Sequence, residues 1–137
     1  MKYEVKRACG HVEEVQIYGS AGERERKLRS LACEVCTDCA VKAREEADAR
    51  AAEENAAAGL PHLVGTPRQI QWAESIRREK LAMIRSLPAA NTESGRAAIA
   101  ACLAWYTSLT DAGDWIDLRD ADVLQLARIC AERRKQK

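Results

Sequence analysis

Aromatic residues are scarce in this sequence, and phenylalanine is absent altogether. Aromatic side chains make up 4% of the 137 residues, whereas alanine, arginine and glutamate are frequent. Sheet sandwiches depend on aromatic and β-branched side chains, and helices on the residues that are abundant here. The composition therefore excludes a sheet sandwich and predicts an α+β chain that is mainly α-helical.

The chain also has almost no excess of charge of either sign. Lys and Arg number 22 against 21 Asp and Glu, so the formal net charge is +1. A nucleic-acid partner would therefore require a local basic patch, because the whole chain exerts no general pull on phosphate. No apolar run approaches the roughly 18 residues of a membrane span or the core of a secretion signal. We expect a cytoplasmic protein that does not bind membranes.

Signatures of the common enzyme classes are missing. The sequence has no HExxH pair, P-loop, dinucleotide-binding glycine pattern or Ser-His-Asp order. It contains two histidines, which is little equipment for acid–base chemistry. We interpret His62, between Pro61 and Leu63, as an ordinary loop residue. We therefore expect neither an enzymatic activity nor a small-molecule substrate.

Cysteine is the residue type that departs most from this plain picture. Four of the six cysteines fall within the first 39 residues, and in a reducing compartment such a cluster points to a metal ion more than to disulfides. Cys102 and Cys130 stand alone within apolar helical patterns, and we predict buried thiols there. The predicted ligands are two close pairs at Cys9, His11, Cys36 and Cys39.

The spacing of these pairs suits a zinc ion. Cys9 and His11 are two residues apart at a predicted strand end, where alternate side chains share a face. Cys36 and Cys39 form a CxxC pair at the start of a helix, where residues three apart are neighbours. Four protein ligands leave no open position for water, so we predict one structural Zn²⁺ ion. An iron–sulfur cluster on Cys9 and the run CxxCxxC, which adds Cys33, is the alternative.

The order of predicted elements gives three segments. Residues 3–8 and 12–18 alternate as two short strands, and Ser20 with Glu23 predicts a capped helix over 21–32. From these elements we predict a zinc-ribbon-like hairpin module over residues 1–40. The helix predicted over 37–58 has few large apolar residues after Val41, so we interpret residues 41–60 as a solvated linking helix.

The remaining residues, 61–137, form the predicted C-terminal helical domain, a bundle of about three helices. Thr66, Pro67 and Gln69 predict the start of a helix that runs to about residue 87. The second helix covers 92–109. A turn at 111–114 precedes the last helix, which Asp117 or Asp120 can cap and which continues through Cys130.

Several sequence blocks resemble a known group of proteins. The runs YEVKRACGHVEEVQIYG, ERERKLRSL and CTDCAVKAREE, and later LVGTPRQIQWAESIR and DWIDLR, are similar to small zinc-ribbon-like proteins of bacteria, their phages and mobile elements. The resemblance implies the same four ligands and leaves Cys33 outside the site. It implies a phage or mobile-element setting, but no particular activity.

Two functional hypotheses follow for a non-enzymatic protein. The first is an interaction protein that binds a host protein or complex as an inhibitor or adaptor, through Trp72, Trp115 and Arg119 as interface candidates. Trp115 is favoured because polar residues surround it in the sequence. The second is nucleic-acid binding through the basic helix that carries Arg24, Arg26, Lys27 and Arg29. Glu23 and Glu25 among these cations weaken the second hypothesis.

Overall fold

The computed structural model describes residues 1–136. These residues form a mainly helical protein with one two-stranded antiparallel sheet. The chain divides into two compact units, Met1–Glu46 and Ala47–Lys137. Lys137, the last residue of the predicted C-terminal domain, lies outside the described residues.

The strands and helices do not alternate along the chain. Two strands come first, and the later regular elements of the described chain are helices. The elements are β1 Lys2–Lys6, β2 Val12–Gln16, α1 Ala21–Ala32, α2 Thr37–Ala57, α3 Pro67–Arg85, a short 3₁₀ helix Pro88–Asn91, α4 Glu93–Thr107, α5 Ala112–Asp117 and α6 Val123–Lys135. Within residues 1–136, we find no helix with the length and apolar character that crossing a membrane requires.

The first unit is a hairpin with one helix packed against it. β1 pairs antiparallel with β2, with Val5 opposite Glu13 in the register. The predicted capping box at the start of α1 is confirmed, since the Ser20 hydroxyl and the Glu23 carboxylate each bond the other residue's backbone N–H. The buried apolar side chains of this unit are Val5, Ile17 and Cys36. So small a core cannot order the unit unaided.

Helix α2 differs from the predicted solvated helix in its second half. Asp48, Ala51 and Asn55 are buried there. The Asn55 amide donates to the Glu74 backbone oxygen at 3.0 Å and to its carboxylate at 2.6 Å, and the Ser75 hydroxyl donates to Asp48. Polar side chains make this contact with α3, and a prediction based on large apolar residues missed it.

The second unit has a core made mainly by α3, α4, α5 and α6. Its largest fully buried side chains include Trp115, Tyr106, Leu81, Ile84 and Leu126. The aromatic members are also hydrogen-bonded. The Tyr106 hydroxyl donates to the Leu126 carbonyl at 2.6 Å, and the Trp115 indole N–H donates to the carbonyl of Leu109 at 3.1 Å. Both polar groups are thereby satisfied inside an apolar cluster.

Two predictions for the end of the chain are wrong in detail. The turn predicted over 111–114 begins the six-residue helix α5, which Asp111 caps by accepting from the Gly113 N–H at 2.7 Å. The cap of α6 is Asp122, paired with Gln125 in a capping box, and not Asp117 or Asp120. Caps of equal chemistry compete along this acidic stretch, and packing decides between them.

Cys102 and Cys130 are buried thiols, as predicted, but they do not stand alone. Cys102 lies on α4 and Cys130 on α6, and both belong to the core cluster. Burial and a hydrogen bond with Cys130 raise the pKa of Cys102 to about 12. Burial also raises the pKa of Tyr106. The folded core therefore holds these groups in their neutral forms.

We expect the second unit to lose stability in alkaline solution. The pKa of Cys102 and of Tyr106 is higher in the folded state, so above their ordinary values of 9.0 and 10.0 the folded state binds more protons than the unfolded state. The free energy of unfolding therefore falls as the pH rises past about 9. Urea unfolding followed by tryptophan fluorescence at about pH 8 and about pH 10.5 measures this, because all tryptophans lie in this unit.

Tyr106→Phe is the control for this alkaline effect. It should cost about 1 kcal/mol at neutral pH through the lost hydrogen bond to Leu126, and it should reduce the further loss at high pH. An equal alkaline loss in the variant and the wild type would show that Tyr106 takes no part.

Candidate metal centre

Cys9 and His11 lie in the turn between the two strands. β1 ends at Lys6 and β2 begins at Val12, so the ligands do not lie at a strand end as the alternation predicted. Gly10 separates them with a φ of 87°, a left-handed conformation that glycine adopts without steric cost. Its N–H donates to the Arg7 carbonyl at 2.9 Å. This tight turn directs both ligands toward one point.

Cys36 and Cys39 lie at the N-terminus of α2. The Cys36 carbonyl accepts from the Ala40 N–H at 3.0 Å, so Cys36 takes the capping position and Cys39 lies in the first turn. The N–H groups of Cys36 and Cys39 point at sulfur, at 3.3 Å from Cys9 Sγ and 3.5 Å from Cys36 Sγ. Free N–H groups at a helix start favour thiolate.

The four side chains converge on one point. Their ligand atoms all lie within 4.8 Å of one another, and the group could hold a metal ion. His11 Nδ1 is 3.6 Å from Cys36 Sγ and 3.3 Å from Cys39 Sγ. A tetrahedral ion bonded at about 2.3 Å to sulfur and 2.1 Å to nitrogen separates such ligands by roughly 3.6–3.8 Å. The donors present therefore fit a four-coordinate ion.

The environment of the thiols does not favour the thiolate form of every one of them unless a cation is present. The backbone N–H of Cys36, with that of His11, lowers the pKa of Cys9 to about 6. The hydrogen bond with Cys36, together with burial and the neighbouring thiols, raises the pKa of Cys39 to about 11. Each thiolate disfavours the next because like charges repel. A bound divalent cation would remove that repulsion.

A side-chain network connects the two ligand pairs. Arg7 is buried, and its guanidinium contacts Glu13 at 2.9 and 2.7 Å and donates to the Leu31 carbonyl at 3.1 Å. Glu13 also accepts from the Thr37 hydroxyl at 2.9 Å, and Thr37 lies between Cys36 and Cys39. The network therefore fastens the start of α2 to the hairpin, which positions one ligand pair against the other.

Sequence reasoning missed Arg7 and Glu13. The signal that could have found Arg7 is the alternation itself, because Tyr3, Val5 and Arg7 fall on one side of the predicted strand. An arginine that continues an inward-facing series needs a buried partner. Glu13 lies opposite Val5 in the strand register and supplies that partner.

We expect Arg7→Met to weaken metal binding strongly. It removes the hydrogen bonds of Arg7 to Glu13 and to the Leu31 carbonyl, which hold the hairpin against the elements that follow it. Because folding of this unit and metal binding are coupled, the apparent metal affinity should fall by about 10- to 100-fold. Competition with a chromophoric chelator measures the change.

Lys2→Met is the matched control for Arg7→Met. Lys2 also lies on β1 and pairs with a glutamate of β2, Glu14, at 2.8 Å, but both side chains are well exposed. An exposed pair contributes about 0–1 kcal/mol, so the metal affinity should change less than about fivefold. Equal effects of the two substitutions would contradict the role given to Arg7.

The other predicted site residues lie outside the group of four candidate ligands. Trp115 has no exposed surface, so its prediction as an interface anchor is wrong: the polar neighbours in sequence lie outside the core that it fills. Trp72 is 48% exposed, and the Arg119 guanidinium lies 5.8 Å from its ring centroid. Cys33 is exposed at the end of α1 and is not part of the group of four.

The basic helix α1 has no buried residue. Arg24 donates to the Gly19 carbonyl at 2.6 Å, and Arg29 lies 3.7 Å from Glu25. Arg26 and Lys27 are exposed and line a shallow depression together with Glu23 and Glu34. The four predicted basic residues are thus at the surface, with acidic groups among them.

Comparison of the chain with protein-family models, with curated proteins and with solved structures found no match.

Proposed function

We propose that this chain is a non-enzymatic zinc-binding interaction protein in which one Zn²⁺ ion has a structural role. One observation carries the proposal: three thiols and one imidazole, held on a turn and a helix start, have their ligand atoms within 4.8 Å of one another. Four such ligands fill a tetrahedral zinc ion and leave no position for a reacting water.

The geometry favours zinc over an iron–sulfur cluster. A cluster of the alternative type needs Cys33 in place of His11. Cys33 is exposed and outside the group, whereas His11 Nδ1 lies 3.3 and 3.6 Å from two of the sulfurs. Zinc accepts mixed sulfur and nitrogen ligands of this kind.

Elemental analysis of the purified protein tests the metal and its identity. We expect one zinc ion per chain and neither iron nor acid-labile sulfide. Cys39→Ser should lose the zinc, and Cys33→Ser, a matched substitution outside the group, should keep it. A folded preparation without stoichiometric metal, or one that carries iron, would contradict the proposal.

The interaction role is proposed for surfaces outside the metal centre, since a structural ion performs no chemistry itself. The exposed pair of Trp72 and Arg119 supports it, because tryptophan and arginine dominate the binding energy of protein interfaces. We propose a host protein or complex as the partner, in the phage or mobile-element setting that the sequence resemblance implies. Binding through this surface is compatible both with inhibiting the partner and with acting as an adaptor for it.

Affinity capture from a bacterial lysate tests the interaction role. The intact protein should retain a defined partner, and Trp72→Ala should reduce retention at least tenfold. Leu124→Ala is the control, because Leu124 is 71% exposed on a different helix. Retention that ignores Trp72, or no retained partner, would count against the role.

Nucleic-acid binding is the second candidate, and the surface position of the basic side chains of α1, none of which is buried, supports it. Phosphate contacts release counterions, so binding of duplex DNA or RNA must weaken steeply with salt. An Arg26→Ala, Lys27→Ala double variant should reduce the salt slope by about 2. Absence of binding at low salt would exclude nucleic-acid binding. We rank this function second because acidic residues line the same depression as Arg26 and Lys27.

A further inference from the structure

The second unit has a groove between α2 and α3 with a volume of ≈ 710 Å³. Its walls are mainly apolar, and the connection between the two helices closes one end. The apolar wall consists of Ala49, Ala52 and Ala56 on α2, Leu60 and Pro61 in the connection, and Ile70 on α3. The small alanine side chains leave room for a ligand between the helices.

Arg77 lines this groove and is only 1% exposed. Its Nη1 donates to the Pro61 carbonyl at 2.8 Å and lies 3.8 Å from the Glu74 carboxylate. Nε and Nη2 are buried without a hydrogen-bond partner among the residues that the structure describes. Donors of a charged group that are buried and unpaired are costly, and proteins rarely retain them without a partner.

These two nitrogens form one edge of the guanidinium. Nε and Nη2 project two parallel N–H groups, the arrangement that donates to both oxygens of a carboxylate. The opposite edge is already occupied through Nη1. We propose that the groove binds a carboxylate attached to an apolar body, with its two oxygens on Nε and Nη2 of Arg77 and its apolar part against the alanine wall.

The other charges of the groove define the class of ligand further. Asp48, Glu53 and Glu74 also line it, and Asn55 holds the Glu74 carboxylate at 2.6 Å. These acids repel any anion, and they repel a phosphate or another multiply charged anion more strongly than a single carboxylate. A monoanion that gains two hydrogen bonds from Arg77 is therefore the charged ligand that the groove disfavours least, and a nucleic acid is excluded.

The ligand must open the groove slightly to reach its partner. Nε and Nη2 lie below the solvent-accessible surface, so the bound carboxylate displaces side chains that cover them. The free energy of that displacement limits the affinity of a small ligand. We expect a dissociation constant on the order of millimolar for a ligand of about 12 heavy atoms.

N-acetyl-leucine and N-acetyl-leucinamide are the matched probes, since they differ in the carboxylate alone. Titration of the whole 137-residue chain with the first probe should shift the Arg77 Nε–H signal in ¹⁵N NMR spectra. The amide should bind at least tenfold more weakly. Peptides with an apolar C-terminus, carboxylated or amidated, distinguish a polypeptide end from a free carboxylate as the source, since a polypeptide end should bind the more tightly.

Substitutions in the groove complete the test. Ala49→Glu adds a carboxylate to the wall and should reduce binding at least tenfold, whereas Ala47→Glu, at an exposed position of the same helix but outside the lining, should not. Arg77→Lys keeps the charge but removes the paired donors, so it should weaken binding of N-acetyl-leucine and reduce, without abolishing, the preference for carboxylate over amide. Equal binding of acid and amide, or no shift of Arg77 with any probe, would overturn the proposal. Neither result depends on the metal centre.

Discussion

Removal of the metal ion should unfold residues 1–46 and leave the helices of the second unit folded. The buried apolar side chains of the first unit are Val5, Ile17 and Cys36, and burial of so few cannot offset the chain entropy lost on folding. We expect metal binding to supply the difference, because structural zinc sites contribute about 10–16 kcal/mol. The effect is therefore close to complete loss of structure in this unit.

Two-dimensional ¹⁵N–¹H NMR resolves the two units in one sample. After a strong chelator is added, amide signals of residues 1–36 should collapse to the narrow range of an unfolded chain. Signals from residue 60 onward should keep their dispersion. The second unit has its own core of eleven buried residues among those that the structure describes, and the four candidate ligands all lie in the first unit.

Cys36→Ser should reproduce the effect of the chelator, since Cys36 is both a candidate ligand and part of the small core. Cys33→Ser is the matched control, because Cys33 is an exposed cysteine three residues away. Dispersed signals from the first unit in Cys36→Ser, or unfolding of the second-unit helices together with the first unit, would contradict the prediction that only the first unit depends on the metal.

The candidate ligands could be predicted from the sequence because their chemistry is local. A CxxC pair at a helix start and a second pair two residues apart restrict the donors to a few side chains, and the structure brings these four together. The hydrogen bond from Thr37 to Glu13 could not be predicted, because it joins a strand to a helix far along the chain. Spacing in sequence does not show such contacts.

The error in α2 has a related physical cause. Its hydrophobic pattern is weak, and a helix without large apolar residues is typical of a solvated surface. Burial here depends on hydrogen bonds from Asn55 and Ser75, which satisfy Glu74 and Asp48 as they leave water. Patterns of apolar residues predict contacts that the hydrophobic effect forms, and they miss contacts that polar groups form with each other.

The prediction for Trp115 failed because its sequence neighbours are polar. Asp114, Asp117 and Arg119 surround it, but a six-residue helix directs successive side chains to different sides. One side carries the indole into the core, where Trp115 lies 5.9 Å from the Tyr106 ring, and the acidic side chains stay outside. Short helices are the elements for which a sequence pattern carries the least information.

Trp115→Ala should therefore destabilise the second unit by about 3–5 kcal/mol, the range for removing a large aromatic side chain from a core. The substitution leaves a cavity beside Tyr106 and frees the Leu109 carbonyl that the indole bonds. Since small domains are stable by about 5–15 kcal/mol in total, this is a large share. Urea unfolding followed by far-ultraviolet circular dichroism measures the change.

Trp72→Ala is the matched control, the same substitution at a half-exposed tryptophan, and it should cost less than about 1 kcal/mol. Trp115→Phe keeps most of the packing and should lie between the two. Equal losses for Trp72→Ala and Trp115→Ala would mean that burial does not decide the effect. Trp115→Ala acts on folding, so a loss of partner capture in this variant would report damage to the core. Only Trp72→Ala tests whether a tryptophan contacts the partner.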